Sequence, residues 1–421
     1  MTKRIFAILL LVNSIALMAQ EAASYKLYGF IRSDYTLDSR KIVSGNQDVF
    51  SLYPMYRDLN TDGEDLNSTP STSFTSITTR FGFNFTIPTD FLGAKKASGK
   101  IETDFSGAPN YTLLRVRQAY TQLNWDHASL LVGQAWHPMF TLGCQPSVIS
   151  LNTGALFQPF NRSPQVRYDY LIKNIKLTAA AIYEMHYTSY GPDATSSTVP
   201  SPNVASFTFQ RNALIPECYV GIESKSEHLL VGLGGAYKSI MPNRYYTDNL
   251  GVKHVNASVL STPAVMIYGS YTSGKLTTTA KATLGQNLTN QNFIGGYAIT
   301  PDNKYIPYNN LSTFIQLNYG VKHQMGLFGG YTKNLGPTKD LPFGSLFYGL
   351  GVDKANTLSE KIIGDIYRIS PTYSYNYKSW KLGVEYEYTN AAWGTRSANG
   401  NIHTTERTSN SRIYAILQYT F

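Results

Sequence analysis

The chain has 421 residues and a formal net charge of +9, with only 15% charged residues, 13% aromatics, 32 Tyr and 33 Gly. Soluble globular domains average about 25% charged residues, so an ordinary soluble enzyme fits this composition poorly. The slightly negative mean hydropathy leaves no room for a bundle of transmembrane helices. The basic residues are spread along the chain, which argues against a nucleic-acid partner.

The chain opens with Lys3 and Arg4, an apolar run from Ile5 to Leu17, and then Met18-Ala19-Gln20. A basic start, a short apolar stretch and a small residue at the junction describe a secretory signal peptide over 1–19, cut after Ala19. The apolar run is too short to span a bilayer as a helix. The remainder, 20–421, reads as one domain, with no linker and no shift in composition.

Tyr25–Leu37 is the first predicted strand, with Leu27, Ile31 and Tyr35 on one face and Lys26, Arg32 and Asp34 on the other. A polar loop follows over Asp38–Ser73. Ile77–Ile87 alternates Phe81, Phe83 and Phe85 against Arg80, Gly82 and Asn84. Ser98–Phe105, Thr112–Trp125 and Ala128–Trp136 are the next strands. His137–Pro164 has no period and many prolines and glycines, yet it is rich in apolar residues. A loop of that length is usually functional. Strands then recur in pairs across short turns: Gln165–Ile172 with Ile175–Met185, Ala213–Glu223 with His228–Ile240, Pro263–Thr272 with Lys275–Leu284, Leu311–Val321 with Gln324–Thr332, and Ile362–Tyr377 with Trp380–Thr389. A loop over Asn390–Ser409 leads to the last strand, Asn410–Phe421. That strand carries Ile413, Ala415, Leu417, Tyr419 and Phe421 on one wholly apolar face.

The count is sixteen strands, and turns of a few residues alternate with loops that are mostly twenty residues or more. The fold class predicted is all-β: a transmembrane antiparallel barrel with short periplasmic turns and long external loops. Closure removes edge strands, and sixteen strands leave an aqueous lumen.

The alternation places Arg32, Arg80, Lys100, Arg115, Arg117, Arg167 and Lys176 on the lumen side, among Asp34, Glu102, Asp104 and Asp169. Such a basic-leaning wall favours anions. Equally, the same charges can pair across neighbouring strands and brace the barrel. Gln118 and Gln122 fall on the outward face of their strand and point to a neighbouring subunit there. The His137–Pro164 loop is the candidate constriction, with Arg162 facing the opening; the other course open to it is over the outer rim.

Catalytic and cofactor signatures are weak. Gly232–Ser239 has Tyr237 where a phosphate loop requires Gly. His137 and His186 lack metal-ligand spacing. Neither Cys144 nor Cys218 has a spacing that supports a bridge or a metal site, and there is no Gly-x-Ser-x-Gly elbow. The expectation is no enzyme, no cofactor and no metal.

Three segments in order, Gly99-Lys-Ile-Glu-Thr-Asp-Phe105, Leu114-Arg-Val-Arg-Gln-Ala-Tyr120 and Leu130-Leu-Val-Gly-Gln-Ala-Trp136, follow Arg80-Phe-Gly-Phe83. Together they resemble the DcaP-like outer-membrane porins of Gram-negative bacteria. The resemblance spans roughly Arg80 to Trp136. It implies a trimer of sixteen-stranded barrels admitting small, often anionic, organic solutes, with Arg115 and Arg117 lining the channel. Two features depart from it: the first strand starts almost at the cleavage site, where that family often carries a coiled-coil extension, and the loop from His137 differs. The Asn- and Tyr-rich strands suit a Bacteroidetes-type bacterium.

The function expected is passive diffusion of small hydrophilic, anionic solutes through a water-filled lumen. Selectivity would rest on Arg80, Lys100, Glu102, Asp104, Arg115, Arg117, Arg162 and Arg167. The expected partners are small solutes or ions, outer-membrane lipid and lipopolysaccharide, and two further copies of the chain. The alternative is a surface receptor or adhesin with a blocked lumen whose external loops bind a partner.

Overall fold

The computed structural model describes residues 23–421 except 108–111, 197, 199, 248 and 249. The predicted signal peptide and its cut after Ala19 lie outside the described residues. Sixteen strands close into one antiparallel barrel. They are β1 (Ser24–Asp38), β2 (Arg80–Pro88), β3 (Lys96–Asp104), β4 (Arg115–Asn124), β5 (Ala128–Trp136), β6 (Arg162–Ile172), β7 (Ile175–Ile182) and β8 (Glu217–Lys225), followed by β9 (Leu229–Ile240), β10 (Leu260–Ser273), β11 (Leu276–Gln286), β12 (Tyr305–Gly320), β13 (His323–Pro337), β14 (Lys361–Tyr377), β15 (Trp380–Arg396) and β16 (Ile402–Thr420). Each pairs with its neighbour in sequence. The seam is β1 against β16, from Phe30↔Thr420 to Asp38↔Arg412. Below it Gly29 and Phe421 exchange both backbone hydrogen bonds, at 3.0 and 3.2 Å.

Closure satisfies every ladder within the chain, which the hydrocarbon interior demands. Alternation then decides the faces. On β16, Ile413, Leu417 and Tyr419 are exposed on the outside, whereas Arg412, Tyr414 and Ile416 point inward and are buried. The same split holds on β1, with Ile31 and Tyr35 outside and Arg32 and Asp34 inside.

The barrel is lopsided. Strands β2–β8 have 8 to 11 residues, but β12–β16 have 15 to 19. The tall side corrects the expected loop Asn390–Ser409: β15 and β16 run on, joined by a turn at residues 397–401. Other corrections are local. The segment expected to begin a strand at Ala213 holds instead a short helix, Thr208–Ala213, and β8 starts at Glu217. The polar loop after β1 contains a hairpin, Ile42–Gly45 with Phe50–Pro54.

That hairpin folds inward. Phe50, Leu52, Tyr53 and Tyr56 join Phe140, Phe157, Phe160, Phe314, Phe328 and Trp393 in one buried cluster inside the barrel. Each such side chain withdrawn from water contributes about 1.5–3 kcal/mol.

Candidate functional site

The loop between β5 and β6, residues 137–161, enters the lumen and crosses it. His137 caps a single turn at Pro138–Phe140 by accepting from the Met139 N–H at its Nδ1 (3.2 Å). Thr141, in the left-handed region at φ 51°, turns the chain. The loop is then tied to the far wall at successive strands. Lys281 on β11 donates to the carbonyls of Phe140 (2.8 Å) and Met139 (3.3 Å) and to Gln158 Oε1 (3.2 Å). Ser312 on β12 donates to the Leu156 carbonyl at 2.7 Å. Phe157 lies against Phe328 of β13, with centroids 5.9 Å apart, and under the Arg368 guanidinium of β14 at 5.3 Å. Gly330 leaves room for that ring, because a Cβ there would overlap it. At the tip, Glu385 on β15 accepts the Ile149 and Ser150 N–H groups at 2.8 Å each. Arg32 on β1 donates to the Ile149 carbonyl at 2.8 Å.

The hairpin of residues 42–54 covers this loop from above. Arg368 donates to the Leu52 carbonyl (2.8 Å) and Trp393 to the Pro54 carbonyl (3.0 Å). The sealed side of the lumen is therefore β11–β16 with β1.

Two recesses remain between the crossing loop and the opposite, short wall. One, of about 290 Å³, lies between Phe140, Leu142 and Phe160 of the loop and Arg80, Lys100, Glu102 and Arg117 of β2–β4. The other, of about 110 Å³, has Arg167 and Asp169 of β6, Lys176 of β7 and Glu223 of β8 opposite Pro138 and Leu142. Trp136 and Leu142 border both.

Around these recesses the structure brings together most of the residues singled out from the alternation. Arg117 donates to Glu102 (2.9 Å) and Asp104 (2.8 Å), and Arg115 grips Asp104 at 3.0 and 2.8 Å. Arg80 lies 3.9 Å from Glu102. Arg167 pairs with Asp169 at 3.2 Å and Lys176 with Glu223 at 2.8 Å. Apart from Arg167–Asp169, which share one strand, these pairs run between neighbouring strands. Lys100 makes no ion pair among the described residues and lies over the Tyr28 ring at 5.1 Å. Six cations (Arg80, Lys100, Arg115, Arg117, Arg167, Lys176) face four anions (Glu102, Asp104, Asp169, Glu223), an excess of two positive charges. Side-chain exposure is 41% for Lys176, 21% for Arg167 and 20% for Arg115, but 7% for Arg117. Charge reaches the lumen mainly through the first three, Lys100 and Arg80, whose side chain is 18% exposed.

Two expectations are corrected here. Arg162 does not face an opening. It is fully buried, stacked on Trp136 (4.6 Å), Phe160 (5.6 Å) and Tyr187 (5.9 Å), and neither of its Nη atoms has a hydrogen-bond partner among the described residues. Its Nε lies 3.4 Å from His186 Nδ1. Burial, then the guanidiniums of Arg162, Arg115 and Arg117, push that imidazole down to about 3, so it accepts rather than repels. Nor does Gln118 face outward. The β3–β4 register slips by one residue between Glu102↔Gln118 and Thr103↔Val116. Arg117 is the extra residue of a β-bulge, and a bulge re-aims the side chains beyond it. Gln118 turns inward onto Glu102 (3.2 Å), as does Tyr120, and Gln122 follows the same phase onto Asn124.

Sequence reasoning missed Tyr28, whose hydroxyl donates to Glu102 at 3.0 Å, and Glu385, which holds the loop tip. It missed the inward hairpin altogether; its signal was the apolar run Phe50–Tyr56 inside a polar loop. Among the described residues no three His, Cys, Asp or Glu side chains are grouped so as to hold a metal ion. Cys144 is buried and free, and Cys218 is exposed and free.

Comparison with solved structures agrees with this architecture. The outer-membrane channel DcaP of Acinetobacter baumannii superposes with a TM-score of 0.64 at 19% identity, over 96% of this chain and 98% of that one. The outer-membrane OmpT of Vibrio cholerae superposes with a TM-score of 0.54 at 12% identity, over 96% and 99%. No curated protein sequence matches. The description "Gram-negative porin" matches residues 6–419, nearly the whole chain, and the protein belongs to that family of outer-membrane channels.

Proposed function

We propose that this porin passes small hydrophilic, anionic solutes by passive diffusion, along the passage between the 137–161 loop and the short wall. The observation that carries this reading is the excess of two positive charges around the two recesses beside a loop tied to the opposite wall. In a narrow passage with low-dielectric walls, a fixed excess of one sign concentrates counter-ions. Glu102 and Asp104 hold the guanidiniums in place, so bracing and selectivity are two uses of the same pairs. The chain is exported by its signal peptide and sits among outer-membrane lipids. It assembles as a homotrimer through the short-strand sector, where Phe81, Phe83, Ile101, Val116 and Val132 are exposed on the outside.

A second reading, a receptor whose lumen is closed, draws on the inward hairpin and on loop tips such as Phe343 and Leu358, which are fully exposed. One measurement separates the two: conductance and reversal potential of the purified protein in a planar bilayer under a salt gradient. Stepwise conductance in groups of three with anion preference is expected. A silent membrane would overturn the channel reading and support the receptor.

A further inference from the structure

Two rows of side chains bordering the short wall repeat one arrangement. In the first, register sets Tyr28 of β1 beside Gly82 of β2, and Gly82 beside Glu102 of β3. In the second, Tyr268 of β10 is beside Gly232 of β9, and Gly232 beside Glu223 of β8. In both, the tyrosine lies across the glycine, because a Cβ on Gly82 would overlap the Tyr28 ring and one on Gly232 the Tyr268 ring. Each phenol thereby crosses a whole strand and donates to Oε2 of the glutamate beyond, at 3.0 Å in both rows. Oε1 is held by a cation, Arg117 at 2.9 Å in the first row and Lys176 at 2.8 Å in the second.

Covering a glycine needs only a ring. On the lipid side Phe85 of β2 does this for Gly99 of β3, its register partner. The hydroxyl is therefore an addition with its own consequence. With both oxygens taken, each carboxylate lies along the wall and its charge is turned from the passage. The first row carries this further. Lys100 precedes Glu102 by two residues, on the same face of β3. Glu102 Oε1 already accepts from Arg117 and Gln118, so Oε2 is the oxygen a Lys100 ion pair would use. The Tyr28 hydroxyl occupies it, and the Tyr28 ring lies 5.1 Å from the Lys100 Nζ.

We propose that Tyr28 and Tyr268 are positioning residues for ion selectivity. Each phenol fixes a glutamate against the wall, and Tyr28 in doing so keeps Lys100 unpaired at the larger recess. The effect on permeability rests on the anion passage proposed above; the effect on Lys100 pairing does not.

Tyr28→Phe keeps the ring over Gly82 and removes only the donor, so Lys100 should then pair with Glu102. Acetylation of Lys100 by a small water-soluble ester, read by peptide mass spectrometry on the protein in detergent, should slow about twofold or more, the lower end of coupling between groups in contact. In a planar bilayer under a salt gradient the anion-to-cation permeability ratio should fall by a similar factor, and the same substitution added to Lys100→Gln should shift it less. Tyr268→Phe should lower the ratio and leave Lys100 acetylation as it was. Lys100 acetylation unchanged in Tyr28→Phe would overturn the proposal, as would a permeability shift of equal size in the Lys100→Gln background. A ratio unmoved by Tyr268→Phe would overturn the part of the second row. An unaltered protein without anion preference would overturn the anion passage instead, and the acetylation rates would still decide whether Tyr28 keeps Lys100 free.

Discussion

The two halves of the lumen wall use the same residue types for opposite ends. On the tall side, Arg32, Arg368 and Glu385 are buried; Arg32 pairs with Asp34 at 2.6 Å and Arg368 with Glu387 at 3.3 Å, and all three also hold loop backbone: Ile149, Leu52, and the Ile149 and Ser150 amides. On the short side, Arg115, Arg167 and Lys176 stay partly exposed, and their partners are carboxylates of the same or an adjacent strand. A charge in a barrel interior thus becomes an anchor where a loop covers it and a feature of the passage where none does. The side chain alone does not determine which; the covering does.

That contrast can be broken from the sealed side first. Phe157→Ala removes the ring packed on Phe328 and beneath Arg368. It should cost about 3–5 kcal/mol of loop anchoring, read as a lowered thermal midpoint and as noisy open-channel current. Unchanged noise would mean the loop is held elsewhere. Glu385→Ala leaves two buried amides without an acceptor, a loss of about 1–3 kcal/mol. Limited proteolysis within residues 141–153 should accelerate, and Glu385→Gln, which keeps an acceptor oxygen, should show a smaller effect. On the open side, Lys100→Glu replaces a cation that has no ion-pair partner among the described residues. The anion-to-cation permeability ratio should fall about three- to tenfold with thermal stability kept. An unaltered reversal potential would move the selective point away from the larger recess. Lys176→Gln is the mildest test. Its partner Glu223 persists and its side chain is 41% exposed, so screening should hold the change to about twofold or less.

The sixteen strands, their faces and the asymmetry of turns were legible because lipid outside and water inside impose one period on every strand. Legibility failed where the inside was not water. Ala391 and Trp393 of β15 point inward and are buried against the 42–54 hairpin. Their inward positions are apolar, the alternation vanishes, and the segment reads as loop. The bulge at Arg117 was invisible for a different reason. One inserted residue changes phase without changing composition, and only the partner strand reveals it. Arg162 was misplaced because a cation in a long loop reads as solvated, whereas it begins β6 and the rings of Trp136, Phe160 and Tyr187 enclose it.

The crossing loop has a consequence for how the molecule is made. Its tip, Ile149–Ser150, is held by Glu385, more than two hundred residues later, and its base by Lys281. None of these contacts is local, and the ordering entropy is spent long before they form. The interior must therefore be assembled together with the seam between β1 and β16. Folding of this barrel should be slow and cooperative, with a late species whose strands are paired while its lumen is still unpacked.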